Sequence, residues 1–133
     1  NSLSEIAHQT WIAEASTLVA VCSDDAYLES TYGERGRVYA RQQAGAAIEN
    51  FLLKIVDLGL SACWVGAYTD ELVKTLLMIP PHIQIEALIP IGYEAGKAPK
   101  KEKRSLESVI YWDVWQRSKR TPLAEEPLIH NYK

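Results

Sequence analysis

Three stretches of this chain place polar or backbone groups where chemistry could be done. The first is Gln43-Ala44-Gly45-Ala46-Ala47-Ile48-Glu49-Asn50-Phe51-Leu52-Leu53, in which Gln43, Ala47 and Asn50 share one stripe of a helix. Its small residues let a flat ligand, or equally another helix, come close to the backbone. The second is Leu58-Gly59-Leu60-Ser61-Ala62-Cys63-Trp64-Val65-Gly66-Ala67, a buried strand ending in a glycine. Backbone N–H groups freed at such a junction hold a cofactor or an anionic atom, although many strand–helix connections share this outline. The third is Lys97, Lys100, Lys101, Lys103 and Arg104, five positive charges in eight residues. Such a cluster holds a phosphate through charge-assisted hydrogen bonds, and a solvated loop has the same composition.

The familiar catalytic signatures are missing. The sequence contains no HExxH, CxxC, GxSxG or Walker A pattern. His8, His82 and His130 are far apart and lack acidic companions, so they read as surface or loop residues rather than metal ligands. A net charge of −3 argues against a nucleic-acid partner held by a global positive field. No apolar run approaches the ~20 residues of a membrane helix, so no membrane partner is expected. Cys22 and Cys63 read as small core hydrophobes in strands, with free thiols in a reducing cytoplasm. The 133 residues, 47% of them hydrophobic, suit one domain with a single sizeable core. The chain opens at Asn1 without Met, which leads us to expect further sequence in front of it.

These stretches need elements to position them. Ser2–His8 reads as a short helical stub and Thr17–Cys22 as a buried strand. Ser23 to Gly36 reads as a loop or irregular helix. Over Arg37–Leu58 the spacing of Ala44, Ile48, Phe51, Ile55 and Leu58 predicts a long helix. Its other side stays small or apolar, which predicts a central helix packed on more than one side, with Gly59 as its terminator. Ser61–Val65 reads as a short buried strand. Glu71–Met78 reads as a helix capped by Thr69 or Asp70 and stopped by Pro80-Pro81. Alternation from Ile83 to Ile91 predicts a strand with one mainly polar face of Gln84, Glu86, Leu88 and Pro90. Pro90 must sit where no ladder donor is needed. The order of elements suggests mixed α/β layers around one sheet.

Taken in order, these segments resemble the flavin-dependent nitroreductase family, from about Leu3 to Trp115. The resemblance rests on Ala13-Glu14-Ala15, Tyr32-Gly33-Glu34-Arg35-Gly36, the Gln43–Leu53 segment and the Leu58–Ala67 segment. Ile89-Pro90-Ile91-Gly92-Tyr93 and Lys101-Glu102-Lys103-Arg104-Ser105-Leu106-Glu107 complete it. It implies an α+β three-layer sandwich, a mixed and mainly antiparallel sheet flanked by helices, in an intertwined homodimer with FMN at the interface. Gln43 then falls near the flavin. Trp64, Val65 and Gly66 fall along the isoalloxazine, with the backbone of Val65 and Gly66 near N5. Lys101 and Lys103, with Arg104 beside them, fall at the FMN phosphate.

The implied activity is hydride transfer from NAD(P)H through FMN to a small oxidised acceptor such as a nitroaromatic or quinone. The alternative is a non-catalytic dimerisation or regulatory subunit on the same scaffold. The family's N-terminal segment, with its own phosphate-binding basic motif and a sheet strand, has no counterpart here. Residues 1–115 are therefore expected to form a nitroreductase-like domain lacking that segment, and 116–133 a tail that wraps a partner subunit. A further reading makes Tyr111, Trp112 and Trp115 an interface anchor.

Overall fold

The computed structural model describes residues 10–96, 101–111 and 115. The stub expected at Ser2–His8 and the tail 116–133 lie outside them. The chain divides into two units, residues 1–96 and 97–133.

The first unit is organised around one strand, β3 (Gln84–Gly92). β1 (Thr17–Ser23) pairs with it antiparallel from Thr17↔Ile91 to Ser23↔Gln84, and β2 (Ser61–Ala62) pairs antiparallel on its other side. The sheet order is β1-β3-β2. Ahead of β1 lies a 3₁₀ turn, Thr10–Glu14. Between β1 and β2 come α1 (Ala26–Tyr32) and α2 (Glu34–Asp57), and α3 (Asp70–Leu77) precedes β3.

Period-2 alternation gives β3 two apolar faces, and each has its own core. Ala87 and Ile89 pack with Ile48 and Ile55 of α2, joined by Val19 and Val21. Leu88 packs on the other face with Ile12, Val65 and Val73, joined by Leu18, Ala20 and Tyr68. Helix, sheet, and turn with helix therefore form three layers. The face expected to be mainly polar is not: Leu88 is fully buried and Pro90 is buried as well. A bulge explains much of this. Val21 pairs with Ala87 but Cys22 pairs with Ile85, so Glu86 is an extra residue on β3. The bulge resets the alternation, which moves Ile85 into the core of Leu88 and sends Glu86 to a cation on α2.

The long helix begins three residues earlier than its pattern predicted and ends as expected. Gly59 has φ +73°, the Gly59 N–H donates to the Val56 C=O at 2.9 Å, and the Leu60 N–H donates to the Ile55 C=O at 3.1 Å. This is a Schellman ending, and Leu60 packs into the same core as Ile55. α2 packs on more than one side, as expected: Ile48 and Ile55 lie on the sheet, Gly36 meets the preceding helix and Gly45 the Trp64 ring, whereas Val38, Leu53, Val56 and Leu58 are exposed.

Of the two expectations for residues 23–36, loop or irregular helix, the structure shows a helix, α1. It joins α2 through Gly33, whose backbone (φ +60°) suits glycine. A β-carbon on Gly36 would lie 2.2 Å from the Leu28 carbonyl oxygen, so the two helices cross where only glycine fits. α3 has Asp70 and Glu71 in its first turn, as the helix dipole favours. It stops at Met78, which is left-handed (φ 54°), before either proline is reached.

Both cysteines depart from expectation. They are free, but both are exposed, and Cys63 lies just beyond the end of β2. A short apolar neighbourhood in sequence marked them as core. Cys22 lies past the bulge near the end of β1, and Cys63 falls after the last paired residue of β2.

In the second unit, Lys101, Lys103 and Arg104 lie on an exposed irregular segment before a 3₁₀ turn, Leu106–Ser108. Tyr111 and Trp115 stack with centroids 4.2 Å apart, and Trp115 is largely exposed. Trp112, Lys97 and Lys100 are outside the described residues.

Candidate functional site

The strand expected at Ser61–Val65 is present in register but broken in the middle. Ser61 pairs with Gly92 and Ala62 with Ile91. Val65 bridges Leu88 in the same register, with both N–H···O=C bonds at 3.0 Å. Between them the Cys63 N–H donates to the Pro90 C=O at 3.4 Å, and Pro90 has no N–H to return. Pro90 lies on the central strand, yet its missing donor faces β2, so the β1 ladder is intact. The proline therefore cuts β2 to two residues and leaves Cys63 and Trp64 as a gap between two pinned points.

Antiparallel alternation then fixes which backbone groups are free. Val65 and Cys63 point their N–H groups at β3, so Trp64 and Gly66 point theirs to the open edge. Among the described residues neither of those two N–H groups has a partner. The Val65 N–H is consumed by Leu88, so the free donors of this segment are Trp64 and Gly66. Proline's inability to donate was legible in the sequence, but which edge would lose a bond needed the register.

Trp64 is 43% exposed and its side chain rests on α2, where a β-carbon built on Gly45 would meet the Trp64 ring at 3.9 Å. Gln43 is also on α2 and exposed, but it lines a different cavity of about 260 Å³ with Cys22, Leu28, Ala40, Ala44 and Ala47. Two residues apart on a helix means roughly 200° around its axis. Gln43 therefore looks toward the β1 edge and Trp64 toward the β2 edge. The structure brings Trp64, Val65 and Gly66 together, and separates them from Gln43. Lys101, Lys103 and Arg104 belong to the second unit.

A second polar centre was not anticipated from sequence. Arg41 of α2 donates from Nη2 to Asp25 Oδ2 at 2.7 Å and from Nη1 to Asp25 Oδ1 and Ser23 Oγ, each at 3.0 Å. It also pairs with Glu86. Asp25 is 8% exposed and precedes α1, whose residues are otherwise not buried. One guanidinium thus ties β1, α1, α2 and the β3 bulge together. Nothing local sets Arg41 apart from Arg35 and Arg37 on the same helix, and its partners are 16 and 45 positions away.

Near this centre, burial first and Glu86 second push the Cys22 thiol up, with Lys74 opposing. This disfavours the Cys22 thiolate. Tyr68 is pushed up to about 12, by burial and then by Asp70, Glu86 and Cys22, and its hydroxyl donates to the Ile85 C=O at 3.0 Å. Among the described residues no three His, Cys, Asp or Glu side chains gather to hold a metal, and no helix is long and apolar enough to cross a membrane.

The same α+β fold is found in solved oxidoreductases and nitroreductase family proteins. A hypothetical oxidoreductase, YcnD, from Bacillus subtilis superposes with a TM-score of 0.74 at 22% identity, over 86% of this chain and 52% of that one. The sequence model of the nitroreductase family matches residues 3–93, and the chain belongs to that family. A protein of Archaeoglobus fulgidus, provisionally named NADH dehydrogenase/NAD(P)H nitroreductase, is 31% identical over 101 residues, 73% of this chain and 52% of its own length. A Thermus thermophilus protein named NADH dehydrogenase is 28% identical over 79 residues, 59% of this chain and 38% of that protein. The chain spans about half, or less, of the length of these curated relatives.

Proposed function

We propose that this chain carries part of an FMN-dependent oxidoreductase that takes hydride from NAD(P)H and passes it to a small oxidised acceptor such as a nitroaromatic or a quinone. The observation that carries this reading is the outer edge of the segment that follows β2. There the Trp64 and Gly66 N–H groups face away from β3, unpartnered among the described residues, beside an aromatic side chain seated on α2 at Gly45. These groups suit a flat heterocycle with acceptor atoms on its rim. The indole covers part of its face, and the N–H groups orient its edge and favour the build-up of negative charge there. FMN, when bound, supplies reversible hydride transfer at N5. Lys101, Lys103 and Arg104 are assigned to its phosphate, as charge-assisted donors.

The same reading places the site between two copies of the chain. Gln43 and Trp64 look toward opposite edges of the sheet, so one copy does not bring them to a single ring. Val38, Leu53 and Val56 lie exposed on the outer side of α2 and offer an apolar surface for the second copy. A homodimer in the cytoplasm, with residues 1–115 as its catalytic domain and 116–133 as a strap on the partner, is the assembly proposed.

The test is a visible spectrum of the purified protein before and after FMN is added, followed by NADH or NADPH under anaerobic conditions. Bound flavin that bleaches with either nucleotide is expected. A colourless protein that takes up no FMN would sink the proposal, and a colourless stable dimer would favour a non-catalytic subunit instead.

A further inference from the structure

We infer that Trp64 is an adjustable wall of this site, with Gly45 as the seat of its indole and Pro90 as the cause of its freedom. Two independent features converge on this one side chain. On the strand side, backbone pairing holds Ala62 and Val65 against β3; between them Cys63 makes one ladder bond instead of two because Pro90 has no N–H, and Trp64 stands at a position whose N–H faces away from β3. On the helix side, a glycine sits in the interior of a 24-residue helix, where alanine would be the better helix former. Nothing about the backbone at Gly45 demands glycine: its φ is not positive, unlike those of Gly33 and Gly59. Nor is there a clash to avoid: among the described residues, and apart from the helix's own backbone, a β-carbon built there meets just the Trp64 ring, at 3.9 Å.

Glycine at position 45 therefore leaves open space under the ring rather than relieving a clash. A methyl group fits beneath the indole in ordinary contact, whereas a branched side chain occupies the seat and drives the indole outward. The indole can settle onto the helix or lift from it while the strand on either side stays pinned. Its height decides how much room a flat ring has between the Trp64 side chain and the free N–H groups of Trp64 and Gly66. Gly45 is thus a positioning residue that acts through Trp64. The consequence for FMN rests on the flavin reading above, but the seat itself does not.

The experiment uses the full 133-residue chain with Gly45→Ala, Gly45→Leu and Pro90→Val. Trp64→Phe serves as the reference that subtracts the other tryptophans. Acrylamide quenching reads the exposure of Trp64, and flavin fluorescence reads FMN affinity. Gly45→Leu is expected to raise Trp64 quenching and weaken FMN binding about tenfold, on the scale of one lost aromatic contact. Gly45→Ala, whose methyl group meets the ring at ordinary contact distance, is expected to shift both far less than Gly45→Leu does. Pro90→Val, which restores an N–H opposite the Cys63 carbonyl, is expected to lower Trp64 quenching, and it decides the matter if Gly45→Leu fails to fold.

The inference is overturned if Gly45→Leu leaves quenching unchanged, if Gly45→Ala matches it, or if Pro90→Val leaves Trp64 as accessible as before. Altered quenching with unaltered FMN affinity overturns the positioning role. Failure of every form to bind FMN defeats the flavin reading instead, and the quenching series still decides the seat.

Discussion

The two flanks of β3 are built from the same strand and do opposite things. On one side β1 pairs along its whole length and sends side chains into both cores. On the other, β2 pairs for two residues, lapses opposite Pro90, and recovers at Val65. One proline makes the difference, because its missing donor faces only one neighbour. The continuous flank stores stability. The interrupted flank gives up a ladder bond at Cys63 and carries on its outer side the N–H groups of Trp64 and Gly66 and a partly exposed aromatic side chain. In the function proposed, one edge of the central strand is scaffold and the other the binding surface.

Changes on the continuous flank should cost stability and spare binding. Ile89→Ala, which empties a fully buried position opposite Val19, is expected to destabilise the fold by about 2–5 kcal/mol in urea denaturation. The folded fraction should keep its FMN affinity. If affinity falls in parallel, the two flanks are not separable. Arg41→Ala leaves Asp25 and Glu86 without their shared cation. Because the guanidinium is 41% exposed, solvent softens the loss to about 1–3 kcal/mol. Faster amide exchange in α1 than elsewhere would show that this cation holds α1 down.

Tyr68 sharpens the comparison through pH. Its folded-state pKa lies above the unfolded value near 10, so its contribution to stability is full below pH 10 and is lost as pH rises through about 12. Tyr68→Phe should flatten that alkaline loss, and at neutral pH should cost about 1 kcal/mol for the bond to the Ile85 carbonyl. An alkaline limb of unchanged steepness in the variant would contradict the assignment. The smallest stability effect is expected on the interrupted flank. Trp64→Ala should stay within about 1 kcal/mol of the parent, while FMN binding weakens about tenfold. A Trp64→Ala protein as unstable as Ile89→Ala would make this tryptophan core rather than wall.

Much of the fold was legible because it follows from local rules. The apolar run at 17–22, the helical spacing from Ala44 to Leu58 with Gly59 behind it, and the alternation at 83–91 each specify one element without help from the rest of the chain. What was not legible depends on register or on distant partners. Glu86 reads as part of a polar face until the bulge opposite Val21 and Cys22 redirects it. Arg41 looks like an exposed helix residue until residues 25 and 86 close around it. Cys22 and Cys63 look like core until the bulge in the β1 pairing and the early end of β2 place them at the strand ends. In the site, the junction ending at Gly66 was visible as a motif. Which of its donors are free, Trp64 and Gly66 rather than Val65, follows only from the pairing with Leu88. The placement of Gln43 and Trp64 toward opposite edges likewise required the helix to be docked on the sheet.

The most direct test of the account is backbone amide exchange of the 133-residue protein, residue by residue, with and without FMN. Added FMN should slow exchange at Trp64 and Gly66 and leave Val19 and Val21, already bonded to β3, unchanged. Protection that appears along β1, or that never appears at Trp64 and Gly66 while flavin is bound, would contradict the claim that the interrupted flank is the binding edge.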